Sequence, residues 1–173
     1  MADWLGIDSS LIDSLCGETG GNTLAKALDG TDYWNHEVKE THWFILDLGE
    51  KKTIEKVRGR SLTANDPIDV NVYVSDNKAD WGVAVATGIG TFQDTDVWQE
   101  VNVTSKEGRY LKVEVINTEN VNDFIRFGGF PYFKIFDVYG AVPAVESAAR
   151  SRCGFRPIEG ADRLRGLRSN VLY

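Results

Sequence analysis

The sequence predicts an all-β protein, an antiparallel sandwich or jelly roll, from two observations. Several short segments alternate apolar and polar residues with a period of two, which is the pattern of a strand with one buried face. Clusters of turn-forming residues separate these segments, and no sustained helical period is present, a combination typical of sandwiches. A length of 173 residues suits one domain with a full core.

The strand pattern begins at Trp43 and continues to Tyr139. It is clearest in residues 68–74, where isoleucine and valines alternate with polar residues and tyrosine. The predicted strands are residues 43–48, 53–60, 68–74, 97–103, 110–116 and 132–139. The predicted turns between them are residues 49–52, 65–67, 75–77 and 107–108.

The two ends of the chain are predicted to lie outside the module, which spans residues 16–140. Residues 1–15 have an apolar spacing that fits either a short amphipathic helix or an irregular packed arm, and both remain open. Residues 141–173 contain 6 arginines and no lysine, whereas the preceding residues contain all 9 lysines. We interpret this Arg-rich tail as a linker or a vector-derived appendage outside the domain.

Composition excludes several classes of function. The formal net charge of −7 argues against a nucleic-acid partner and an anionic membrane surface, because both need clustered Lys and Arg. No run of 18 apolar residues exists, so no transmembrane segment is expected, and no secretory signal is expected at the start. Cys16 and Cys153 are too distant in sequence for a metal motif, and they form either two free thiols or one bridge.

Five motifs occur in a fixed order within residues 16–140. They are ETGGNTLAKALDG followed by Trp34, WFILDLGEKKTIEKV, VNVYVSDNKADWGVAVATGIGTF, GRYLKVEVI and FDVYG. Together they resemble the discoidin, or coagulation factor 5/8 type C, superfamily, and most closely its family 32 carbohydrate-binding modules. The resemblance implies an eight-stranded, galactose-binding-domain-like jelly roll that binds a glycan, such as a terminal galactose-like sugar, through loops at one end.

The resemblance also implies a setting and an alternative function. It suggests an extracellular module of a larger secreted protein, monomeric as an isolated domain. The alternative is an adhesion module that binds a protein or lipid head group through the same loops, which exposed aromatic residues in 124–130 would favour.

Catalysis is not expected, although a hydrolase or lyase on the same sandwich remains a rival. There is no Cys–His motif, no Gly-rich phosphate loop after a strand and no metal motif built on His. Asp47 and Glu50 could serve as an acid–base pair, but a strand end and a solvated turn account for both.

Four polar residues are candidate sugar ligands by the resemblance. Arg60 and Asn65 are spaced as family members space an Arg and an Asn that bind sugar hydroxyls, a task that suits a rigid guanidinium fork and an amide. Alternatively, Arg60 pairs with a surface carboxylate and Asn65 begins a turn. Asn35 and His36 follow Trp34, where the family places a His; His36 either contacts ligand or is a solvated loop residue.

Aromatic and acidic residues complete the predicted site. The C–H face of a sugar packs against an aromatic ring, and the family places such a ring before its last strand, which leaves Phe124, Phe127 and Phe130 as candidates. Asp29 and Asp32 lie where related modules hold a structural calcium, which carboxylate and carbonyl oxygens would bind. Asp29 could instead cap its turn.

Overall fold

The computed structural model describes residues 2–120, 122, 124–129, 132 and 134–141, so the tail predicted at residues 141–173 lies outside it except for Ala141. The described residues form nine strands, one short α-helix and one 3-10 helix. They are β1 (Asp3–Trp4), the 3-10 helix (Ser9–Leu11), β2 (Ile12–Leu15), α1 (Leu24–Asp29), β3 (Trp34–His36), β4 (His42–Ser61), β5 (Pro67–Ser75), β6 (Ala86–Ile89), β7 (Thr95–Thr118), β8 (Ile125–Phe127) and β9 (Phe136–Ala141).

The antiparallel sandwich is confirmed, with two long strands that run through both layers. The front layer contains β2, the first half of β4, the second half of β7, β5 and β6. The back layer contains the first half of β7, the second half of β4, β9 and β1. A separate two-stranded ribbon, β3 with β8, lies beside them.

The predicted turns at residues 49–52 and 107–108 are bends inside β4 and β7. Lys52 pairs with Gly108, and the register shifts between Asp47 and Lys52, so both strands change layer at the same point. Such irregularities allow a strand to turn a sandwich corner. Gly108 is required there because a Cβ atom would lie 2.7 Å from Val74 and 2.8 Å from the Ser75 nitrogen.

The core lies between the layers. Val70, Val72 and Val74 are fully buried, as the alternation in β5 predicts. Aromatic rings connect the layers: Phe44 of the front layer lies edge-to-face against Phe136 of the back layer, with 5.9 Å between centroids. This contact stabilises the sandwich beyond the area that the two rings bury.

The N-terminal residues belong to the sandwich, which corrects the boundary predicted at residue 16. β1 pairs with β9, β2 pairs with β4, and the Ile7 side chain is fully buried in the core. The segment is neither an amphipathic helix nor a detached arm, because its two strands, β1 and β2, each pair with the sheet at an edge, on either side of the 3-10 helix.

Helix α1 was not predicted from the sequence. The Thr23 hydroxyl accepts a hydrogen bond from the Lys26 amide at its start, and Gly30 ends it with a left-handed φ of 79°. Leu24 and Leu28 are fully buried, so packing on the sandwich stabilises six residues that would not be helical alone. None of the described helices is long and apolar enough to cross a membrane.

Candidate functional site

The β3–β8 ribbon separates two sets of side chains. Asn35 pairs with Arg126 across the ribbon, whereas Trp34 pairs with Phe127 and both of these rings are fully buried. Side chains alternate across a strand, so Asn35 and Arg126 point to the face opposite the core. Phe124 precedes β8 on the same face as Arg126 and is half-buried.

A polar group forms on that outer face. The Asn35 side-chain nitrogen, Nδ2, donates to Glu37 Oε1 at 3.1 Å, and Arg126 Nη2 lies 3.5 Å from the same oxygen. The Glu37 and Arg126 side chains are 39% and 40% exposed, so both are open to a ligand. The Arg126 guanidinium also lies 5.9 Å from the centroid of the Tyr33 ring.

Asn65 joins this group through the loop between β4 and β5. Its carbonyl oxygen accepts from the Arg126 amide at 3.0 Å, and its side-chain oxygen accepts from Asn120 Nδ2 at 2.9 Å. The Asn65 Nδ2 donor has no protein partner among the described residues. We call these side chains the rim cluster: Tyr33, Asn35, Glu37, Asn65, Asn120, Phe124 and Arg126.

Buried Asp66 shapes the loop that carries Asn65. Its carboxylate accepts from the Ser61 hydroxyl at 2.6 Å, from the Thr63 amide at 2.8 Å and from the Asp94 amide at 2.8 Å. Burial raises the pKa of Asp66, although these hydrogen bonds act against the shift. Asp66, Asp94 and Glu119 lie close together, but the Asp66 carboxylate already accepts hydrogen bonds from the protein groups named above.

Four of the predicted ligand residues are buried in the structure: Asn35, His36, Asn65 and Phe127 are 5%, 6%, 8% and 0% exposed. Phe127 has no exposed surface, so the ring is part of the core and cannot stack on a sugar; this corrects the prediction for Phe127. His36 is 6% exposed and contacts Cys16 and His42, so it is not a solvated loop residue. Phe130 lies outside the described residues.

Arg60 lies on the outer face of the back layer. Its Nε donates to the Lys134 carbonyl and its Nη1 to the Asp96 carbonyl, both at 2.8 Å, and the guanidinium stacks 4.2 Å from the Trp98 ring centroid. Burial, followed by repulsion from Arg58, lowers the pKa of Arg60. These contacts hold the Arg60 guanidinium against the back layer, whereas the rim cluster lies on the β3–β8 ribbon and its neighbouring loops.

The predicted calcium residues are engaged by protein groups. Both Asp29 oxygens accept from Ser9, through its amide and its hydroxyl. Asp32 accepts from Asn22 Nδ2 and the Tyr33 amide, and its second oxygen lies 3.6 Å from the Lys26 ammonium.

Two further positions near this turn, Ile135 and Asp137, bear on calcium. Ile135 is fully buried, its amide donates to the Ala27 carbonyl and its side chain brings no oxygen to the turn, while Asp137 is held by Arg58. A calcium ion needs about six to eight oxygens, so these residues do not fit it in this arrangement.

Asp47 and Glu50 do not form an acid–base pair. Asp47 accepts two hydrogen bonds of 2.7 Å from Arg109, and Glu50 lies 2.7 Å from Lys52. The hydrogen bond from Arg109 is the main reason that the pKa of Asp47 is lowered, which makes this carboxyl a poor proton donor.

Sequence reasoning missed Tyr33, Glu37, Asn120 and Arg126. Arg126 is one of only four arginines before the tail, and it stands between Phe124 and Phe127. That isolated charge among aromatic residues was the available signal. The position of Glu37 could not be inferred, because its role depends on the pairing of β3 with β8.

The model of the F5/8 type C domain matches residues 9–127 of the chain. Among solved structures, the CBM32 of AlyQ in complex with 4,5-unsaturated mannuronic acid is 15% identical with a TM-score of 0.57, covering 74% of this chain and 93% of that one. The family 32 CBM of Clostridium perfringens NanJ in complex with galactose is 18% identical with a TM-score of 0.58, covering 80% and 99%.

A third solved structure, CpGH89CBM32-5 from Clostridium perfringens in complex with GalNAc-beta-1,3-galactose, is 18% identical with a TM-score of 0.54, covering 80% and 93%. No curated protein sequence matches the chain significantly. At these identities the solved structures establish the fold, and the family match extends over more than two thirds of the chain. The chain therefore belongs to the F5/8 type C domain family.

Proposed function

We propose that this protein is a non-catalytic carbohydrate-binding module that recognises a terminal galactose-like sugar at the rim cluster. The observation that carries the proposal is the exposed Arg126–Glu37 pair, set beside the Asn65 amide at the loop end of the sandwich. Two similar structures hold galactose-containing ligands, and a third holds an unsaturated mannuronic acid, so the choice of galactose rests on the first two.

The chemistry of the rim cluster suits a hydroxyl-rich ligand. Arg126 supplies donors in a fixed plane, Glu37 supplies acceptors, and Asn65 Nδ2, which donates to none of the described residues, supplies a further donor. Phe124, half-buried on the same face, offers a ring for the C–H side of the sugar. Asn35 is 5% exposed and its side-chain nitrogen donates to Glu37, so we assign it to the floor of the site.

Such a site is shallow and its affinity is expected to be low. Each net hydrogen bond contributes on the order of 1 kcal/mol, so a few of them correspond to a Kd of about millimolar to micromolar. A module of this kind acts by raising the local concentration of an attached domain or by avidity. We therefore place it in a larger extracellular protein, as the naming of one similar module as part of NanJ suggests.

The test is calorimetric titration of the full chain with galactose and lactose, with mannose as a comparison. Arg126→Ala should weaken galactoside binding by roughly 10-fold to 100-fold, because hydrogen bonds to a charged group contribute about 1.5–3 kcal/mol. Arg109→Ala is the matched control: its side chain is 46% exposed, against 40% for Arg126, and it lies beside the layer-changing bend of β7 at Gly108. Melting curves of both variants verify folding.

Two other outcomes would change the assignment. Loss of binding in Arg60→Ala but not in Arg126→Ala would place the ligand beside Trp98 on the back layer. Binding to lipid vesicles or to a protein, with no glycan bound on an array, would replace the proposal by the adhesion alternative. Exposed Leu62 and Tyr132, 42% and 47% accessible, are the apolar side chains that this alternative would use.

Calcium is tested separately. Because the surroundings of Asp29 and Asp32 do not fit the ion, adding calcium to chelator-treated protein is expected to leave the melting temperature unchanged. A rise in melting temperature that disappears in Asp32→Asn would establish calcium at this turn, since a ligand bound only to the native state stabilises it.

A further inference from the structure

Three side chains of metal-binding types, one cysteine and two histidines, meet where β2, β3 and β4 come together. Cys16 directly follows β2, His36 ends β3 and His42 begins β4. Cys16 Sγ lies 3.4 Å from His36 Nδ1, which lies 3.2 Å from His42 Nδ1. The three ligand atoms are all within 4.8 Å of one another. Neither the fold family nor the proposed glycan site requires this arrangement.

We propose that Cys16, His36 and His42, with Glu40 as the fourth ligand, bind one Zn²⁺ ion. Zinc prefers thiolate and imidazole ligands in tetrahedral geometry, with bonds of about 2.3 Å to sulfur and about 2.0–2.1 Å to nitrogen. Those bond lengths place two nitrogens about 3.3 Å apart, and a sulfur and a nitrogen about 3.5 Å apart. The observed separations of 3.2 and 3.4 Å match two edges of a tetrahedron of this size, and the third pair of ligand atoms, Cys16 and His42, lies within 4.8 Å.

Glu40 closes the ligand set from the solvent side. Its Oε1 lies 3.6 Å from His36 Nδ1, and its side chain is 43% exposed while that of His36 is 7% exposed. The site therefore has a buried floor of two imidazoles and an open side through which a metal can enter. Four protein ligands, including a carboxylate, describe a closed structural zinc site rather than a catalytic one.

The neighbouring groups hold the ligands in place. The Trp43 amide donates to Cys16 Sγ at 3.3 Å, a contact that supports a thiolate. Gly17 lies directly against the His36 ring: a Cβ there would be 2.6 Å from Nε2. His42 lies edge-on to Trp34, with 6.3 Å between ring centroids. The ring positions are thus set by the fold before any metal binds.

Zinc binds the thiolate, and therefore one proton leaves Cys16 when the ion enters. The competing explanation is a metal-free cluster in which the thiol and the two imidazoles are joined by hydrogen bonds.

Cobalt spectroscopy of the full, reduced and metal-stripped chain provides the test. One equivalent of Co²⁺ should produce a thiolate-to-cobalt charge-transfer band and the visible bands of tetrahedral cobalt. Zn²⁺ should displace the cobalt and remove both. Cys16→Ser should abolish the charge-transfer band, whereas Cys153→Ser is the matched control and should retain it.

Zinc affinity and thermal stability provide a second readout. Competition with a chromophoric chelator should show more than about 100-fold weaker zinc binding in Cys16→Ser, because changes outside the ligand set alone cost roughly 10-fold to 100-fold. Glu40→Gln should weaken binding yet keep the charge-transfer band. Each variant is melted without metal to verify folding, and zinc should raise the melting temperature of the wild type and of Cys153→Ser.

Three results would overturn the proposal. One is a stripped wild-type protein that gives no charge-transfer band with cobalt, which would leave a hydrogen-bonded cluster. Another is a band that survives in Cys16→Ser and is lost in Cys153→Ser, which would place the metal on the tail. The third is a zinc affinity that is unchanged in both ligand variants, Cys16→Ser and Glu40→Gln.

Discussion

Replacing Asp137 by alanine is expected to release the N-terminal segment from the back layer. One Asp137 oxygen accepts from the Gly6 amide at 2.9 Å and from the Ile7 amide at 3.1 Å. The other accepts from Arg58 Nη2 at 2.8 Å. Asp137 is 4% exposed, so these groups would lose a partner that water could not easily replace.

The magnitude follows from that burial. Removing one member of a buried ion pair costs about 3–5 kcal/mol, and releasing the buried Ile7 side chain costs about 1.5–3 kcal/mol. The two costs are not added, because a segment that detaches locally need not unfold the sandwich. Asp137→Ala should therefore lower stability by about 3 kcal/mol, and the melting temperature by roughly 6–12 °C.

Hydrogen exchange distinguishes this mechanism from general destabilisation. The amides of Leu5, Gly6 and Ile7 should lose protection first, while those of the front layer exchange at the wild-type rate. Asp137→Asn, which keeps an oxygen acceptor but loses the charge, should give a smaller effect. A Glu100→Ala control removes one member of an exposed pair with Lys56 and should behave as wild type. Unchanged protection of the Gly6 and Ile7 amides in Asp137→Ala would refute the reasoning.

Three other substitutions test the core, the layer-changing bend and the surface charge. Phe136→Ala removes the ring that joins the layers and should cost about 3–5 kcal/mol in denaturant unfolding; a loss below about 1 kcal/mol would contradict its core role. Gly108→Ala should destabilise more than Gly88→Ala, because a Cβ atom at position 108 would clash with backbone and side-chain atoms. A Cβ atom at position 88 has open space and adds only the strain of a positive φ. Equal melting temperatures of the two variants would contradict this. The pKa of Asp47 is lowered mainly by its hydrogen bond from Arg109, so the stabilisation is present above the unfolded pKa and is lost as the pH falls through the folded one. The difference between wild type and Asp47→Asn should thus be measurable at about pH 7, shrink once the pH falls below the unfolded value of about 3.9, and vanish below the folded pKa, in melts across that range.

Local pattern was sufficient wherever a residue's environment depends on its own strand. Val70, Val72 and Val74 alternate with polar residues, and their burial follows because a strand turns successive side chains to opposite faces. The same reasoning failed at residues 49–52 and 107–108. Glycine and charged residues permit either a reversal or a bend, and only the pairing of Lys52 with Gly108 selects the bend.

The ligand candidates show the same division between local and distant information. Asn65 was recognised from its spacing after Arg60, and the structure places it in the rim cluster, whereas Arg60 faces Trp98. Phe127 looked like a loop aromatic because nothing in its own segment indicates that it pairs with Trp34 and is buried.

Residue types and periods in the chain were enough to predict the β-sandwich and, through the motifs, its family. Tertiary structure alone brought Glu37 to Arg126, and Cys16 to His36 and His42. The physical reason is one of range. Alternation and turn formation act over a few residues, whereas these clusters depend on the register with which β3 meets β8 and β2 meets β4.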